Sequence, residues 1–166
     1  STSQVLSNRA FVNVVKPNII SVKKLGHVVL RVRDLERSVH FYRDILGLKE
    51  VARYQDVMVF FTIDGTNHHD LAIMEVGDKA PIPMPNSVGL YHVALKIGDS
   101  LGQLKEAKKW LEEKKVAITG TADHKVSKSI YIKDPDGIEL ELYVDEDPSL
   151  WKKDRKAVAY VGHLDI

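Results

Sequence analysis

Two stretches of this chain read alike, Gly26-His27-Val28-Val29-Leu30 and Tyr91-His92-Val93-Ala94-Leu95, and their histidines stand 65 positions apart. A repeat of this kind constrains the fold more than any single motif, because both copies must adopt the same local structure. The first copy opens an apolar, β-branched strand, Leu25 to Val32. Asp34 is placed to cap a helix from Leu35 to Leu46, with Leu35, Val39, Tyr42, Ile45 and Leu46 on one face and Gly47 as its left-handed stop. Strands are expected over Leu48 to Arg53, Val57 to Ile63 and Asp70 to Val76, with Asp64-Gly65 as a turn. The second copy runs the same way. A strand over Leu90 to Ile97 leads to Ser100, a cap for a helix from Leu101 to about Lys114. Strands over Lys115 to Thr119, Ser129 to Ile132 and Ile138 to Tyr143 then close it.

One such strand–helix–strand–strand–strand unit covers only one face of its sheet. Two units can curl their sheets together around a cleft. The expected class is therefore α+β, with two βαβββ modules whose curved mixed sheets pair about that cleft. The expected division is an arm over 1–22, one domain over 23–144 and a tail over 145–166. Within the domain, modules 23–77 and 89–144 are joined by a proline-rich linker, 78–88. Trp151 and Tyr160 are candidate anchors for the tail.

The chain has 166 residues, of which 28% are charged and 44% hydrophobic, with a net charge of +1. The signs are interspersed, which gives no electrostatic case for nucleic acid or an acidic membrane. No apolar run approaches the roughly 20 residues of a membrane helix. Ser1 to Asn18 lacks the continuous apolar core of a signal peptide. There is no cysteine, so disulfides, thiolate metal sites and cysteine nucleophiles are excluded. A cytoplasmic setting is expected.

The last two strands flank Asp134-Pro135-Asp136-Gly137, a turn in which proline fixes one φ and glycine is free to take φ > 0. Beyond it, Ile138, Leu140 and Leu142 alternate with Glu139, Glu141 and Tyr143. Taken alone, the two glutamates read as a solvated face. The histidines change that reading. His27 and His92 hold matched repeat positions, so pseudo-symmetry directs both to one cleft. Counting back from Glu141 by the turn-to-turn offset puts its counterpart at or near His69. His27, His69, His92 and Glu141 thus point to one place. Two imidazoles and a carboxylate on one face of an ion leave adjacent positions open, which suits Fe(II) or Mn(II) chemistry with substrate and oxygen. With His69 as a fourth ligand, the centre would suit Lewis-acid or proton-transfer work at Ni, Zn or Mn.

The segments GHVVLRVRDLERSVHFYRDILGL, HHDLAI, LYHVAL and DPDGIELELY together resemble the vicinal oxygen chelate superfamily over about Lys24 to Val144. That group includes glyoxalase I, fosfomycin and bleomycin resistance proteins and the type I extradiol dioxygenases. The details are most similar to a small extradiol catechol dioxygenase. The resemblance implies His27, His92 and Glu141 as metal ligands and His69, in His69-Asp70-Leu71-Ala72-Ile73, as the acid–base residue. It implies Tyr131, three places before the turn, as a hydrogen-bond partner of substrate oxygen, and His124 as a supporting donor. Lys125 stands where the family usually has glycine, which predicts a displaced His124 loop.

The implied activity is ring cleavage of a catechol-type aromatic by O2, with Fe(II) as cofactor and Mn(II), Ni(II) or Zn(II) as alternatives. A homodimer or higher homo-oligomer is expected, because a single pair of modules leaves the pocket open. The other readings are a glyoxalase-like or fosfomycin-resistance-like lyase, isomerase or transferase, and a metal-free antibiotic-binding protein. His68 is expected to point away from His69, and His40 and His163 to be structural or exposed. One of Phe60 and Phe61 should line the cleft while the other packs beneath the helix.

Overall fold

A computed structural model describes residues 19–166, so most of the expected arm lies outside the described residues. The fold is α+β, built from two four-stranded mixed sheets. The first contains β1 (Val28–Val32), β2 (Lys49–Tyr54), β3 (Met58–Thr62) and β4 (Leu71–Glu75) in the order β1-β4-β3-β2. The second contains β5 (Val93–Gly98), β6 (Ile118–Asp123), β7 (Ser127–Lys133) and β8 (Glu139–Asp145) in the order β5-β8-β7-β6. In each sheet the first strand pairs parallel with the last and the other pairings are antiparallel. The duplication read from the sequence is therefore a duplication of topology.

Each module buries the sheet face that meets its helix. Leu30, Val32, Val59, Phe61, Leu71 and Ile73 form that face in the first sheet. Ile130, Ile132, Leu140, Leu142 and Val144 form it in the second, and the two sets join in one apolar cluster. Burying each such side chain is worth about 1.5–3 kcal/mol. Strict alternation along β8 thus sends leucines inward and Glu139, Glu141 and Tyr143 to the other face.

The first helix departs from the simple reading. Asp34 caps α1 (Leu35–Val39), accepting from the Arg37 amide, but His40–Ile45 continues as a π-helix. The Leu46 amide donates to the Phe41 carbonyl at 3.0 Å, a five-residue step. The wider turn lets the adjacent aromatics Phe41 and Tyr42 both bury. Gly47 then stops the helix at φ +81°. The second helix, α2 (Leu101–Glu113), carries a full capping box between Ser100 and Gln103. Lys115 follows it at φ +57°, so the chain needs two more residues before β6 begins at Ile118, later than expected. A short helix α3 (Ser149–Lys153) and a 3-10 turn (Arg155–Ala159) carry the tail back to a bridge between Asp123 and Gly162. Leu164 and Ala157 anchor the tail, whereas Trp151 and Tyr160 are exposed. No helix among the described residues is long and apolar enough to cross a membrane.

The two modules are tied by Tyr42, whose hydroxyl donates to the buried Asp134 carboxylate at 2.8 Å. Tyr42→Phe leaves that carboxylate short of a donor, and we expect a loss of about 1–3 kcal/mol, read as a lower urea midpoint. An unchanged midpoint would show that the link carries no stability. Lys115→Gly removes a side chain from a left-handed position after α2 and should raise stability by about 1 kcal/mol in the same assay.

Candidate metal centre

The turn at Asp134-Pro135-Asp136-Gly137 fixes the register of the hairpin behind it. Lys133 faces Glu139, Tyr131 faces Glu141 and Ser129 faces Tyr143 across β7 and β8. The parallel pairing of β5 with β8 sets Val93 opposite Leu140, which brings His92, the residue before β5, alongside the two glutamates. These registers assemble the first of two polar groups.

Glu141 is its centre. Its Oε1 accepts from Ser129 Oγ at 2.9 Å and from Tyr131 OH at 2.7 Å, with His124 Nε2 at 3.3 Å. Its Oε2 makes no hydrogen bond among the described residues and faces His92 Nε2 at 3.6 Å. That distance exceeds a hydrogen bond but falls inside the span of about 4 Å that two donors can subtend at one ion. A saturated oxygen beside a bare one, with an imidazole nitrogen opposite, fits a divalent metal. Tyr131 and His124 lie behind the carboxylate. The carbonyl of Tyr160, 3.0 Å from His124 Nδ1, assigns the ring proton to that nitrogen. Tyr131 then faces two acceptors, Glu141 Oε1 and His124 Nε2 at 2.8 Å, with one proton. Burial and the Glu141 carboxylate both hold the Tyr131 phenol well above its usual range.

Lys125 takes φ +63°, the left-handed conformation that glycine would adopt freely, and its amide donates to Asp123. With lysine adopting that turn, His124 Nε2 lies 2.8 Å from Tyr131 OH and 3.3 Å from Glu141 Oε1.

The second group lies on the first sheet. His27, exposed just before β1, has its ring centroid 4.1 Å from that of His69 and 6.5 Å from that of His68. His68 is exposed to solvent, as expected, but its ring does not point away from His69: the two Nδ1 atoms lie 2.6 Å apart. Phe60 packs edge-on against His69 at 5.2 Å, while Phe61 is fully buried beneath Tyr42. Asn67 donates to the carbonyls of Gly26 and His69, tying the start of β1 to the histidine loop. Burial, followed by the neighbouring His27 and His68, lowers the His69 pKa and favours a neutral ring. His40 binds Asp44 on the exposed helix face and His163 is exposed.

The structure thus gathers His92, Glu141, His124 and Tyr131 in one place and His27 with His69 in another. Among the described residues no three histidine, aspartate or glutamate side chains converge to hold an ion. The counterpart of Glu141 also differs from expectation. Val28 faces Leu71 in the first sheet as Val93 faces Leu140 in the second, so Ala72, not His69, matches Glu141. A cleft of about 400 Å³ between Leu46, Leu48, Leu95 and Trp110 lies away from both groups. Ser129 and Glu139 were missed as site residues. Carrying the alternation of β8 back across the turn puts Ser129 and Tyr131 on the face of Glu141, which is the signal that finds Ser129.

The sequence model of the glyoxalase/bleomycin resistance protein/dioxygenase superfamily matches residues 24–142, and the chain belongs to that superfamily. It is 38% identical to a catechol-2,3-dioxygenase of Bacillus subtilis over 80% of this chain and 45% of that protein. It is 34% identical to the metallothiol transferase FosB of Staphylococcus saprophyticus over 74% of this chain and 77% of that protein. The chain spans less than two thirds of the length of the dioxygenases it matches first. A glyoxalase/dioxygenase structure from Nostoc punctiforme shares the fold, with a TM-score of 0.65 and 24% identity over 80% of this chain and all of that one.

Of the six tyrosines, Tyr42, Tyr131 and Tyr143 are all held above the ordinary range near about pH 10. An ultraviolet titration of the metal-free protein should leave all three out of the first ionisation wave. Tyr131→Phe should not change that wave; a loss of one tyrosine from it would show a phenol free of Glu141.

Proposed function

We propose that this protein is a metal-dependent extradiol dioxygenase that cleaves a catechol-type aromatic with O2. The observation that carries the reading is the Glu141 carboxylate, with one oxygen bound by Ser129 and Tyr131 and the other turned to His92. Dioxygenases among the relatives support the same class. Fe(II) is the proposed cofactor, held by His92, Glu141 and His27; it would make the catechol oxygens acidic and couple ring to O2 electronically.

The protein's own groups have distinct tasks. His69, biased towards the neutral ring, accepts a proton from a substrate hydroxyl. Tyr131 and His124 share a proton beside Glu141 and can supply it to an oxygen that gains charge. Phe60, edge-on to His69, offers an apolar wall for an aromatic ring. Both oxygen atoms enter the product as one ring carbon–carbon bond beside a hydroxyl breaks, so no external reductant is consumed.

A second copy completes the centre in this reading. His27 belongs to the first module and the other two ligands to the second, in separate groups. β1 and β5, the strands that follow His27 and His92, are both sheet edges. The segment leading to His27 exposes Ile19, Ile20, Val22 and Leu25 at 81–103%. Such apolar exposure on a segment outside any helix or strand suits burial against another copy. The partners are a small aromatic, O2 and a like subunit, in a cytoplasmic setting.

The metallothiol transferase relative, matched over most of its length, supports a second reading: metal-dependent group transfer or isomerisation without O2. Anaerobic loading with Fe(II), then catechol and air, should give oxygen uptake and a yellow product. Metal retained through gel filtration with no oxygen uptake favours the second reading, and ligand binding unaffected by His92→Ala a metal-free binder. Mixing the His27→Ala and Glu141→Ala proteins, each inactive alone, should restore about a quarter of the wild-type rate if pairing in a twofold dimer is random. No recovery, with exchange of subunits demonstrated, would place all three ligands in one chain. His69→Ala should cost about 100- to 10,000-fold in turnover with metal content unchanged. In the wild type the acid limb of kcat/KM should fall below about pH 6.5, because the base must be neutral and its pKa is lowered. Loss of metal in His69→Ala would instead make His69 a ligand.

A further inference from the structure

Glu139 opens β8 on the same face as Glu141, and the structure gives it a partner that the metal reading leaves unexplained. Its Oε2 lies 3.2 Å from His92 Nδ1. Lys133, its cross-strand neighbour, places Nζ 3.8 Å from Oε1. The side chains of Glu139 and His92 are 19% and 24% exposed, so both sit in a partly water-excluded place. His92 is thus gripped from both sides. One ring nitrogen faces Glu139 and the other faces Glu141.

A carboxylate only accepts, so Nδ1 must carry the proton that it shares with Glu139. The Nε2 lone pair is then directed at the space in front of Glu141 Oε2. A free imidazole divides its proton between two nitrogens and turns about its side-chain bonds. A ring held at Nδ1 has the tautomer and the plane that coordination needs. The negative charge on Glu139 also makes Nε2 a stronger electron-pair donor, and Lys133 Nζ stands 3.8 Å from the other carboxylate oxygen.

We propose that Glu139 is a positioning residue for a divalent metal: through His92 Nδ1 it fixes the tautomer, plane and basicity of the ring that binds the ion at Nε2, with Lys133 as its counter-charge. The inference rests on the reading of His92 and Glu141 as metal ligands. It makes Glu139 a residue that acts on the ion without touching it.

The test uses the full chain and Zn(II) as probe, by chelator-competition titration. Glu139→Gln, which keeps the shape and loses the charge, should weaken Zn(II) binding about 10-fold, and Glu139→Leu up to about 100-fold. The ring N–H signal of His92 in the Zn(II)-loaded protein should be downfield and slow to exchange in wild type. It should move upfield and exchange quickly in both variants. A purely structural glutamate would change the melting temperature without moving that signal. Binding within about twofold of wild type in both variants, with the His92 signal unchanged, overturns the proposal. His92→Ala and Glu141→Ala separate the two levels. If they abolish Zn(II) binding while the Glu139 variants do not weaken it, only the positioning role fails. If they bind Zn(II) as wild type does, the metal reading fails and this inference with it.

Discussion

The Asp134 carboxylate is the joint on which the rest of the structure turns. Buried among apolar groups, it is pushed towards its neutral form, and it persists as an acceptor only because its oxygens are satisfied. Tyr42 from the first module binds one oxygen, and the amides of Asp136 and Ile138 bind the other. Arg37 and the Arg33 amide hold Asp136 beside it. One side chain therefore shapes the turn that launches β8 and fastens that turn to the helix of the other module. The positions of Glu139 and Glu141 descend from this joint through the register of β8.

The same topology explains why the polar groups collect where they do. Each sheet spends its apolar face on its own helix, so the opposite face is free to carry chemistry. On the second sheet that face holds a carboxylate 14% exposed, flanked by a fully buried serine and two aromatic rings that carry polar atoms. A charge so placed needs several donors, and Ser129 and Tyr131 supply them to one oxygen only. The remaining oxygen is where a cation gains most.

Much of this was legible in the residues. Alternation in Ile138 to Tyr143 gave the inward leucines and outward glutamates, because a half-buried strand has no other way to partition them. The matched histidines gave the repeat, and Ser100 and Gln103 gave the start of α2. Other features depend on packing that periodicity does not encode. The π-helical turn arises because two adjacent aromatics, Phe41 and Tyr42, both find space in the core. The tail is anchored by Leu164, which joins the apolar cluster, rather than by Trp151, which stays exposed. The counterpart of Glu141 was misplaced at His69, because turn spacing was used where strand pairing decides. Grouping His27 with His69 is likewise a matter of how the loop at Asn67 closes on Gly26.

Ala72 in the place of Glu141 makes the duplication unequal where chemistry is concerned. Two carboxylates at matched positions would bring a second negative charge to the cleft, and an ion between them would have fewer open positions. With alanine, the first module carries imidazoles beside Phe60, and the second carries the carboxylate with Tyr131 and His124. A centre drawing on both must form where the faces of two modules meet, whether those modules belong to one chain or to two copies. The frame is common to relatives named for ring cleavage and for thiol transfer, so the frame does not select the reaction. In the proposed reading, selection would fall to the groups that carry movable protons: His69 in the first module, and Tyr131 with His124 in the second.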